Sequence, residues 1–250
     1  MTVDNRRGPA RVQKLWVAAL VGVPLLAGTA TGARAATCSA PPETQSQLDA
    51  EKQGWLAYGC SGDYGRDLAS VAAQARAYVE RRAGEVTKPA LVLDIDETSL
   101  ANWPQMLAND FRHIPTGPCR IAAGGTCSER AWDLRAGATA IRPTLELFDA
   151  ARARGVAVFF VTGRNDDPAL RAATARNLRR AGYRGWTALI MRGPDERNGM
   201  SAYAYKSRRR AGIEAQGYTI IATVGDQWSD LDGGSAERKF KLPNPFYFIP

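Results

Sequence analysis

Four short apolar runs recur along the chain, separated by segments with helical spacing, and this alternation limits the folds that the chain can adopt. The runs cover residues 90–93, 156–161, 187–191 and 218–224. The helical segments cover residues 144–154, 168–181 and 202–216, and a glycine directly follows each of them. Short apolar runs that alternate with helices predict a parallel sheet with crossover helices. We therefore expect an α/β fold, a Rossmann-like parallel sheet with helices on both faces.

Other segments lie before and between these strands. Two more helices are expected ahead of the first strand, at residues 44–58 and 67–83, the second with apolar side chains at helical spacing. Residues 99–140, between the first and second strands, are rich in Pro, Gly, Asn and Cys and break the rhythm. Ligands of parallel α/β sheets bind outside the carboxyl ends of the strands. We therefore expect this segment to form a small cap insertion that selects the substrate.

The first 35 residues have the composition of a secretory signal peptide. Four basic residues come first: Arg6, Arg7, Arg11 and Lys14. An apolar run at 15–27 and the small residues Ala33 and Ala35 follow, which predicts cleavage after Ala35. An uncleaved membrane anchor is disfavoured because this run is shorter than the roughly 20 residues that a bilayer span needs. We expect a secreted chain with no stable membrane anchor, exported by either the Sec or the Tat route.

The charge of the chain argues against a nucleic acid polymer as a partner. The net charge is +8, and residues 1–35 hold five basic residues and one acidic residue, so the mature chain carries +4. No stripe of basic residues with interleaved aromatics is present, which disfavours binding to a nucleic acid polymer. A small positive charge could help to attract anionic phosphates, although a soluble surface with ordinary use of arginine is the favoured explanation of most of this charge. The charge does not indicate an oligomeric state.

Four cysteines remain after the expected cleavage: Cys38, Cys60, Cys119 and Cys127. An even number of cysteines in an exported chain predicts disulfides. Proximity in sequence favours bonds between Cys119 and Cys127 and between Cys38 and Cys60, although spacing does not decide among the three connectivities. A zinc site is disfavoured because there is no Cys-x-x-Cys pair and the only histidine is His113.

Asp94 and Asp96 follow the first strand, two positions apart, so both side chains would point to the same side of an extended continuation. Phosphoryl transfer requires a nucleophile, a cation that neutralises the phosphate, and an acid that protonates the leaving oxygen. Two carboxylates at one strand end could supply the nucleophile and the acid. Paired acids at strand ends are also common without a function, so this pair alone decides little.

Polar residues also accompany the later strands. Thr162 and Gly163 follow the second strand and offer a hydroxyl and a backbone amide to phosphate oxygens, although Thr-Gly is also common in plain turns. Lys206 begins a basic run in a helical segment, where it could neutralise a phosphate or belong to a solvated face. Asp226 and Asp230 follow the fourth strand, and their carboxylates suit Mg²⁺. The alternative for Asp226 is a helix N-cap.

The order of these groups, namely acid pair, threonine, lysine and second acid pair, resembles the haloacid dehalogenase (HAD) superfamily. More narrowly, the chain resembles the secreted acid phosphatases of subfamily IIIB, a group with plant vegetative storage proteins and bacterial outer-membrane acid phosphatases. The likeness extends from about residue 47 to residue 250. The motifs that carry it are Asp-Ile-Asp-Glu-Thr-Ser-Leu-Ala-Asn from Asp94, Val-Thr-Gly-Arg from Val161, Tyr-Lys-Ser from Tyr205, Gly-Asp-Gln-Trp-Ser-Asp-Leu from Gly225, and the run 240–247.

The resemblance implies a HAD-like acid phosphatase domain at residues 36–250, with the cap at about 99–140. It implies that Asp94 is the nucleophile, which becomes an aspartyl-phosphate, and that Asp96 acts first as an acid and then as a base. The phosphate-binding residues would be Thr162, Gly163 and Lys206. The Mg²⁺ ligands would be Asp94, the backbone carbonyl of Asp96, and Asp226, with Asp230 supporting the metal shell. The implied function is a secreted, Mg²⁺-dependent acid phosphatase that hydrolyses small phosphomonoesters.

A non-catalytic storage or binding protein on the same fold is the main alternative, because some plant storage relatives have lost the nucleophilic aspartate. The intact set of Asp94, Asp96, Lys206 and Asp226 favours the enzyme. Thr37 before Cys38 makes a poor lipid-attachment box, in contrast to the outer-membrane relatives.

The substrate and the pH optimum remain open at this level. Trp103 in the insertion and the tail residues Phe246 and Tyr247 could stack on the base of a nucleoside monophosphate. Isolated aromatics more often pack in a core or a lid, and His113 is more often a surface residue than a catalyst.

Overall fold

The computed structural model of the protein describes residues 47–249. Its helices are α1 (Gln47–Cys60), α2 (Asp63–Arg82), α3 (Trp103–Ala108), α4 (Glu129–Arg135), α5 (Arg142–Ala153), α6 (Pro168–Arg180), α7 (Pro194–Arg197), α8 (Ala202–Glu214) and α9 (Trp228–Leu231). Its strands are β1 (Pro89–Leu93), β2 (Leu100–Ala101), β3 (Thr139–Ala140), β4 (Ala157–Asn165), β5 (Ala188–Arg192), β6 (Thr219–Gly225) and β7 (Arg238–Lys241).

Five of these strands form a parallel sheet in the order β5-β4-β1-β6-β7. The strand β1 is central, and its last residue, Leu93, pairs with Phe160 of β4 and with Val224 of β6. The chain therefore leaves β1 beside the carboxyl-terminal halves of β4 and β6. This register brings Asp94, Thr162 and Asp226 to the same edge of the sheet.

Helices cover both faces of the sheet. On one face, α2 and α5 contribute Val79 and Phe148 to a core that includes Leu91 and Phe160. On the other face, Tyr205 and Ile213 of α8 pack against residues such as Val92 and Phe159. Alternate residues of β1 thus enter opposite cores, as expected of a strand that is buried on both sides. The predicted parallel α/β fold is confirmed.

The sheet differs from the expectation at two places. Edge strand β7 was not predicted, because Arg238 and Lys239 are exposed and only Phe240 is buried, which does not produce an apolar run. Strand β4 extends to Asn165, so Thr162 and Gly163 lie within the strand and not in a turn after it. The ends of the other predicted elements lie within four residues of the observed ones where the structure describes them.

The segment 99–140 leaves the sheet edge and returns to it. Strands β2 and β3 pair antiparallel, with Leu100 opposite Ala140, so the two ends of the segment meet. Helices α3 and α4 and a short 3-10 helix at Ile121–Ala123 lie between them. We refer to residues 99–140 as the cap segment.

A disulfide joins Cys119 and Cys127 within the cap segment, as predicted. Cys60 is also disulfide-bonded. Its predicted partner, Cys38, lies outside the described residues, and so does the predicted signal peptide at 1–35. Among residues 47–249, no helix combines the length and the apolar character that crossing a bilayer requires.

Candidate active site

Asp94 is held at the end of β1 by its backbone. Its N–H donates to the Val224 carbonyl at 3.1 Å, and its carbonyl accepts a hydrogen bond from Ser99 Oγ at 2.6 Å. The chain then turns sharply, since Leu100 N donates to Ile95 O at 2.8 Å and Glu97 has a φ of 50°. The expected extended continuation after Asp94 is therefore wrong. Asp94 and Asp96 nevertheless line one cavity, because the turn directs both side chains into it.

Lys206 of α8 is buried, unlike Arg208 two positions later, which is exposed. Its Nζ donates to Asp94 Oδ1 at 2.7 Å and also contacts Asp230 Oδ1. Burial alone lowers the pKa of Lys206, but attraction to Asp230 and Asp94 outweighs burial and raises the pKa above its ordinary value. Lys206 is thus a permanent cation inside the site, and the solvated-face alternative is wrong for this residue.

Lys206 contacts two members of a group of three buried carboxylates. Each of Asp94, Asp226 and Asp230 offers an oxygen, and these oxygens lie within 4.8 Å of one another. Burial raises the pKa of Asp94 well above its ordinary value, although Lys206 opposes the shift. Burial and repulsion by Asp230 raise the pKa of Asp226 to about 6. We call these three residues the acid cluster. The single positive charge of Lys206 does not balance the three carboxylates of the acid cluster. The hard oxygens of these carboxylates suit a divalent cation such as Mg²⁺.

Neutral donors orient Asp226. Thr98 Oγ1 donates to one carboxylate oxygen, and Gln227 Nε2 and Asn244 Nδ2 donate to the other, each at 2.8 Å. Residue 244 belongs to the segment that follows β7, so this tail reaches back to the acid cluster. Hydrogen bonds to a carboxylate that binds a metal fix the orientation of that ligand in proteins.

Asp230 has a structural contact as well as its ion pair. Its Oδ2 accepts a hydrogen bond from the backbone N–H of Gln227 at 2.8 Å, which makes Gln227 the N-cap of α9 and Asp230 its third residue. The N-cap alternative for Asp226 is therefore wrong. The approach is close enough that a Cβ on Gly225 would lie 2.2 Å from Asp230 Cβ. Only glycine fits there.

Asp96 is paired with a buried arginine. Arg164 donates through Nε to Asp96 Oδ2 at 3.0 Å and through Nη2 to Asp96 Oδ1 at 2.6 Å. Asn102 Nδ2 donates to Asp96 Oδ1 at 2.8 Å. Burial alone raises the pKa of Asp96, but the charge and hydrogen bonds of Arg164 outweigh burial and lower it. Arg164 also pairs with Asp133 of α4 at 3.0 Å.

The sequence reasoning assigned no role to Arg164, Asn102 or Asp133. Arg164 and Asn102 belong to two of the motifs that carry the family resemblance. Neither an arginine after Thr-Gly nor an asparagine after Leu-Ala indicates from sequence that the side chain contacts Asp96. Asp133 lies on α4, 37 positions after Asp96 in the chain. Burial of the charged Asp133 raises its pKa to about 7 against the pull of Arg164.

The other two predicted phosphate ligands, Gly163 and Thr162, differ in their exposure to the cavity. Gly163 lies on the cavity wall and is exposed, and a Cβ there would meet nothing within 4 Å. Thr162 is fully buried, and its hydroxyl accepts a hydrogen bond from Arg164 N at 3.2 Å. The structure therefore brings Gly163 to the cavity surface and Thr162 just below it.

A cavity of about 530 Å³ opens above these groups. The cap segment contributes Met106, Phe111 and Trp132 to its wall, and the tail contributes Phe246 and Tyr247. The ring of Phe246 is buried and lies 5.3 Å from the ring of Trp103, a residue that does not line the cavity. Tyr247 donates its hydroxyl proton to Glu97 at 2.8 Å. These contacts favour the packing alternative for Trp103 and Phe246.

The position of His113 is at the rim of the same cavity. The side chain is exposed, and Nδ1 lies 3.6 Å from a carboxylate oxygen of Glu129. The exposed imidazole is in keeping with a surface residue.

Comparisons with known families, proteins and structures all point to acid phosphatases and their relatives. A family model described as HAD superfamily, subfamily IIIB (acid phosphatase), matches residues 28–250. Acid phosphatase 1 of Solanum lycopersicum is 36% identical over 167 residues, which is 66% of this chain and 61% of that protein. The stem 28 kDa glycoprotein of Glycine max is 34% identical over 70% of this chain and 66% of that protein. Vegetative storage protein 1 of Arabidopsis thaliana is 29% identical over 64% and 55%.

The matched part of the chain therefore spans between 55% and 66% of the length of these relatives. Among solved structures, the class C acid phosphatase of Bacillus anthracis superposes with a TM-score of 0.63 at 20% identity, covering 80% of this chain and 86% of that one. A second structure of that enzyme, with tungstate bound, superposes equally well. At this identity the likeness concerns the fold.

Proposed function

The chain belongs to the acid phosphatases of HAD subfamily IIIB, as its motifs predicted, and we propose that it hydrolyses small phosphomonoesters with the help of Mg²⁺ through an aspartyl-phosphate intermediate. The observation that carries this proposal is the contact of Lys206 with Asp94 inside the acid cluster. A nucleophile, a permanent cation and a set of hard oxygen ligands meet there at the bottom of one cavity. Phosphoryl transfer requires this combination.

The residues of the acid cluster fit Mg²⁺, and the expected ligands are Asp94, the backbone carbonyl of Asp96, and Asp226. When bound there, the ion supplies positive charge that neutralises the phosphate oxygens. Asp230 supports the site from behind, since its oxygens are engaged by Lys206 and Gln227 N. A divalent cation next to Asp94 also favours the ionised carboxylate, which offsets the effect of burial on its pKa.

The proposed reaction has two displacements. In the first, an oxygen of Asp94 attacks phosphorus, the bond to the ester oxygen breaks, and Asp96 gives its proton to the departing alcohol. In the second, Asp96 removes a proton from water as that water attacks phosphorus, which releases inorganic phosphate and restores Asp94. Lys206 and the backbone amide of Gly163 bind the phosphate oxygens during both steps, with Thr162 just below.

The pairing of Asp96 with Arg164 suits this exchange of roles. In the free protein Arg164 keeps Asp96 ionised, which is the form that takes a proton from water. A bound phosphate adds negative charge beside Asp96 and raises its pKa, so that it gains the proton that the first step consumes. Both forms of one carboxyl group are thus accessible.

The cavity supports small phosphomonoesters, including nucleoside monophosphates, as the substrate class. Its volume of about 530 Å³ is typical of small-molecule sites. Its wall combines apolar side chains such as Met106 and Trp132 with polar groups at the base.

Secretion is part of the proposal. The disulfide between Cys119 and Cys127 is of a kind that persists in oxidising compartments. Together with the signal peptide expected at 1–35, it supports export of the chain. Amino-terminal sequencing of the mature protein is expected to begin at Ala36.

Turnover of p-nitrophenyl phosphate with Mg²⁺ tests the function. We expect Asp94→Asn to lower kcat by a factor on the order of 10⁴ or more, as loss of a nucleophile does. The circular dichroism spectrum should stay unchanged. Asp149→Asn, an exposed change of the same type on α5, is the matched control. Tungstate, found bound in the Bacillus anthracis structure, should inhibit the wild-type protein.

A wild-type rate in Asp94→Asn would refute the mechanism. Absence of turnover in the wild-type protein with all the divalent cations tested would instead favour the storage alternative, which the names of two relatives suggest.

A further inference from the structure

Two consecutive residues of the cap segment each contact a side chain that holds Asp96. Trp132 Nε1 donates to Asn102 Oδ1 at 2.8 Å, and Asn102 Nδ2 donates to Asp96 Oδ1 at 2.8 Å. Asp133 lies 3.0 Å from Arg164 Nη2, and the same guanidinium binds both oxygens of Asp96. Helix α4 therefore reaches the two supports of Asp96 through adjacent side chains.

The first of these connections fixes the orientation of an amide. An indole N–H can only donate a hydrogen bond, so Asn102 must turn its oxygen toward Trp132. Its NH₂ group is then directed at Asp96, and also at Glu97 at 3.1 Å. Without the indole, the amide loses the contact that distinguishes its two ends, and its oxygen can face the carboxylate of Asp96.

The second connection fixes the orientation of a guanidinium. Arg164 uses Nε and Nη2 for Asp96, Nη2 also for Asp133, and Nη1 for Thr174 at 3.3 Å. The side chain is 2% exposed, so water does not replace a missing partner easily. Replacing the carboxyl group of Asp133 leaves Asp96 as the one carboxylate that contacts Arg164 among the described residues.

We propose that Trp132 and Asp133 are positioning residues for Asp96, so that the cap segment sets the efficiency of proton donation as well as the shape of the substrate pocket. This inference rests on the proposed function, in which Asp96 protonates the leaving oxygen. Trp132 also lines the cavity, so a leaving group in contact with its ring touches the same residue that orients the acid's support.

Leaving-group chemistry separates positioning of an acid from a general structural role. A p-nitrophenolate departs as a stable anion and needs little help from an acid, whereas an alkoxide must be protonated as the bond breaks. Imperfect placement of Asp96 therefore slows the hydrolysis of an alkyl phosphate more than that of p-nitrophenyl phosphate. Loss of stability or of metal affects both substrates equally.

The experiment compares kcat/KM, which reports only the first displacement, for glycerol 2-phosphate and p-nitrophenyl phosphate in Asp133→Asn, Trp132→Phe and Asp96→Asn. General acids typically contribute a factor of 10²–10⁴, so partial misplacement should lower the alkyl rate about 10-fold more than the aryl rate. Arg135→Gln, an exposed change on α4, should leave the ratio of the two rates at the wild-type value. Because this ratio does not depend on the folded fraction, a destabilised variant remains informative.

Equal losses on both substrates in Asp133→Asn and Trp132→Phe, with a large ratio change in Asp96→Asn, would overturn this inference alone. An unchanged ratio in Asp96→Asn itself would overturn the acid role of Asp96 and the inference with it. A raised aryl-to-alkyl ratio in all three variants supports both.

Discussion

Lys206 Nζ lies 2.7 Å from Asp94 Oδ1, which joins a residue of helix α8 to the residue that follows the central strand 112 positions earlier. The same ammonium contacts Asp230, so one lysine holds two of the three carboxylates of the acid cluster. Their charges are taken out of water, and such charges are stable in a protein only when they are paired.

Lys206→Met is therefore expected to destabilise the metal-free protein by about 3–5 kcal/mol, as removal of one partner of a buried ion pair does. Addition of Mg²⁺ should restore part of this loss, because a cation in the acid cluster replaces the missing charge. Urea unfolding with EDTA and with excess Mg²⁺ measures both effects. Arg208→Gln, an exposed change on the same helix, should change stability by less than about 0.5 kcal/mol. Equal stability of Lys206→Met and the wild type in EDTA would contradict the prediction.

Mg²⁺ affinity is expected to rise with pH through about 6. Burial and Asp230 raise the pKa of Asp226 from 3.8 to about 6, so protons compete with the metal below that pH. Each displaced proton contributes at most about a 10-fold change in affinity per pH unit. Titration calorimetry one unit above and one unit below pH 6, in buffers of different ionisation enthalpy, measures the affinity and the protons released. A pH-independent affinity in this window would exclude the proposed competition.

The stability of the metal-free protein is expected to fall with rising pH through the same window, whereas the Mg²⁺ affinity rises. A folded-state pKa above the unfolded value means that the native state binds more protons between pH 3.8 and about 6. Asp226 therefore stabilises the metal-free fold less as the pH rises through this window. In Asp226→Asn, the contribution of this carboxyl group should disappear from the pH dependence of Mg²⁺ affinity and from the pH dependence of stability.

Asn244→Ala is expected to weaken Mg²⁺ binding about 10-fold, because loss of a group that orients a metal ligand typically costs 10–100-fold in affinity. Asn244 lies in the tail that follows β7, and its Nδ2 donates to Asp226 at 2.8 Å. Calorimetric titration with Mg²⁺ measures the change. Lys239→Gln, an exposed change in β7, is the matched control. Wild-type affinity in Asn244→Ala would show that Thr98 and Gln227 suffice to orient Asp226.

The sequence predicted the residues that follow a recognisable local pattern. Asp94 directly follows one apolar run and Asp226 follows another after Gly225. Parallel strands end at a common edge, so the proximity of the two residues follows from topology. Lys206 was harder to predict, because a basic run on a helix indicates a solvated face by composition alone. The family resemblance selected Lys206 over its neighbours, and the structure buries it while Arg208 remains exposed.

The supports of the site could not be predicted in this way. Arg164, Asn102 and Asp133 meet around Asp96 through side-chain contacts between distant segments, and no periodicity records such contacts. Glu97 and Tyr247 are 150 positions apart and share one hydrogen bond. Helix, strand and turn signals arise from neighbours in sequence, whereas these contacts exist only once the cap segment and the tail have folded onto the sheet.

The tail carries a consequence for the order in which the protein matures. Asn244 and Tyr247 are synthesised after the sheet strands and after all three members of the acid cluster. A chain whose tail has not yet docked can pair β1, β4 and β6 and bring the carboxylates together while Asp226 has only two of its three side-chain donors, Thr98 and Gln227. Pairing of the central strands and completion of the site thus depend on different parts of the chain, and the second requires the tail to dock against the edge of the sheet.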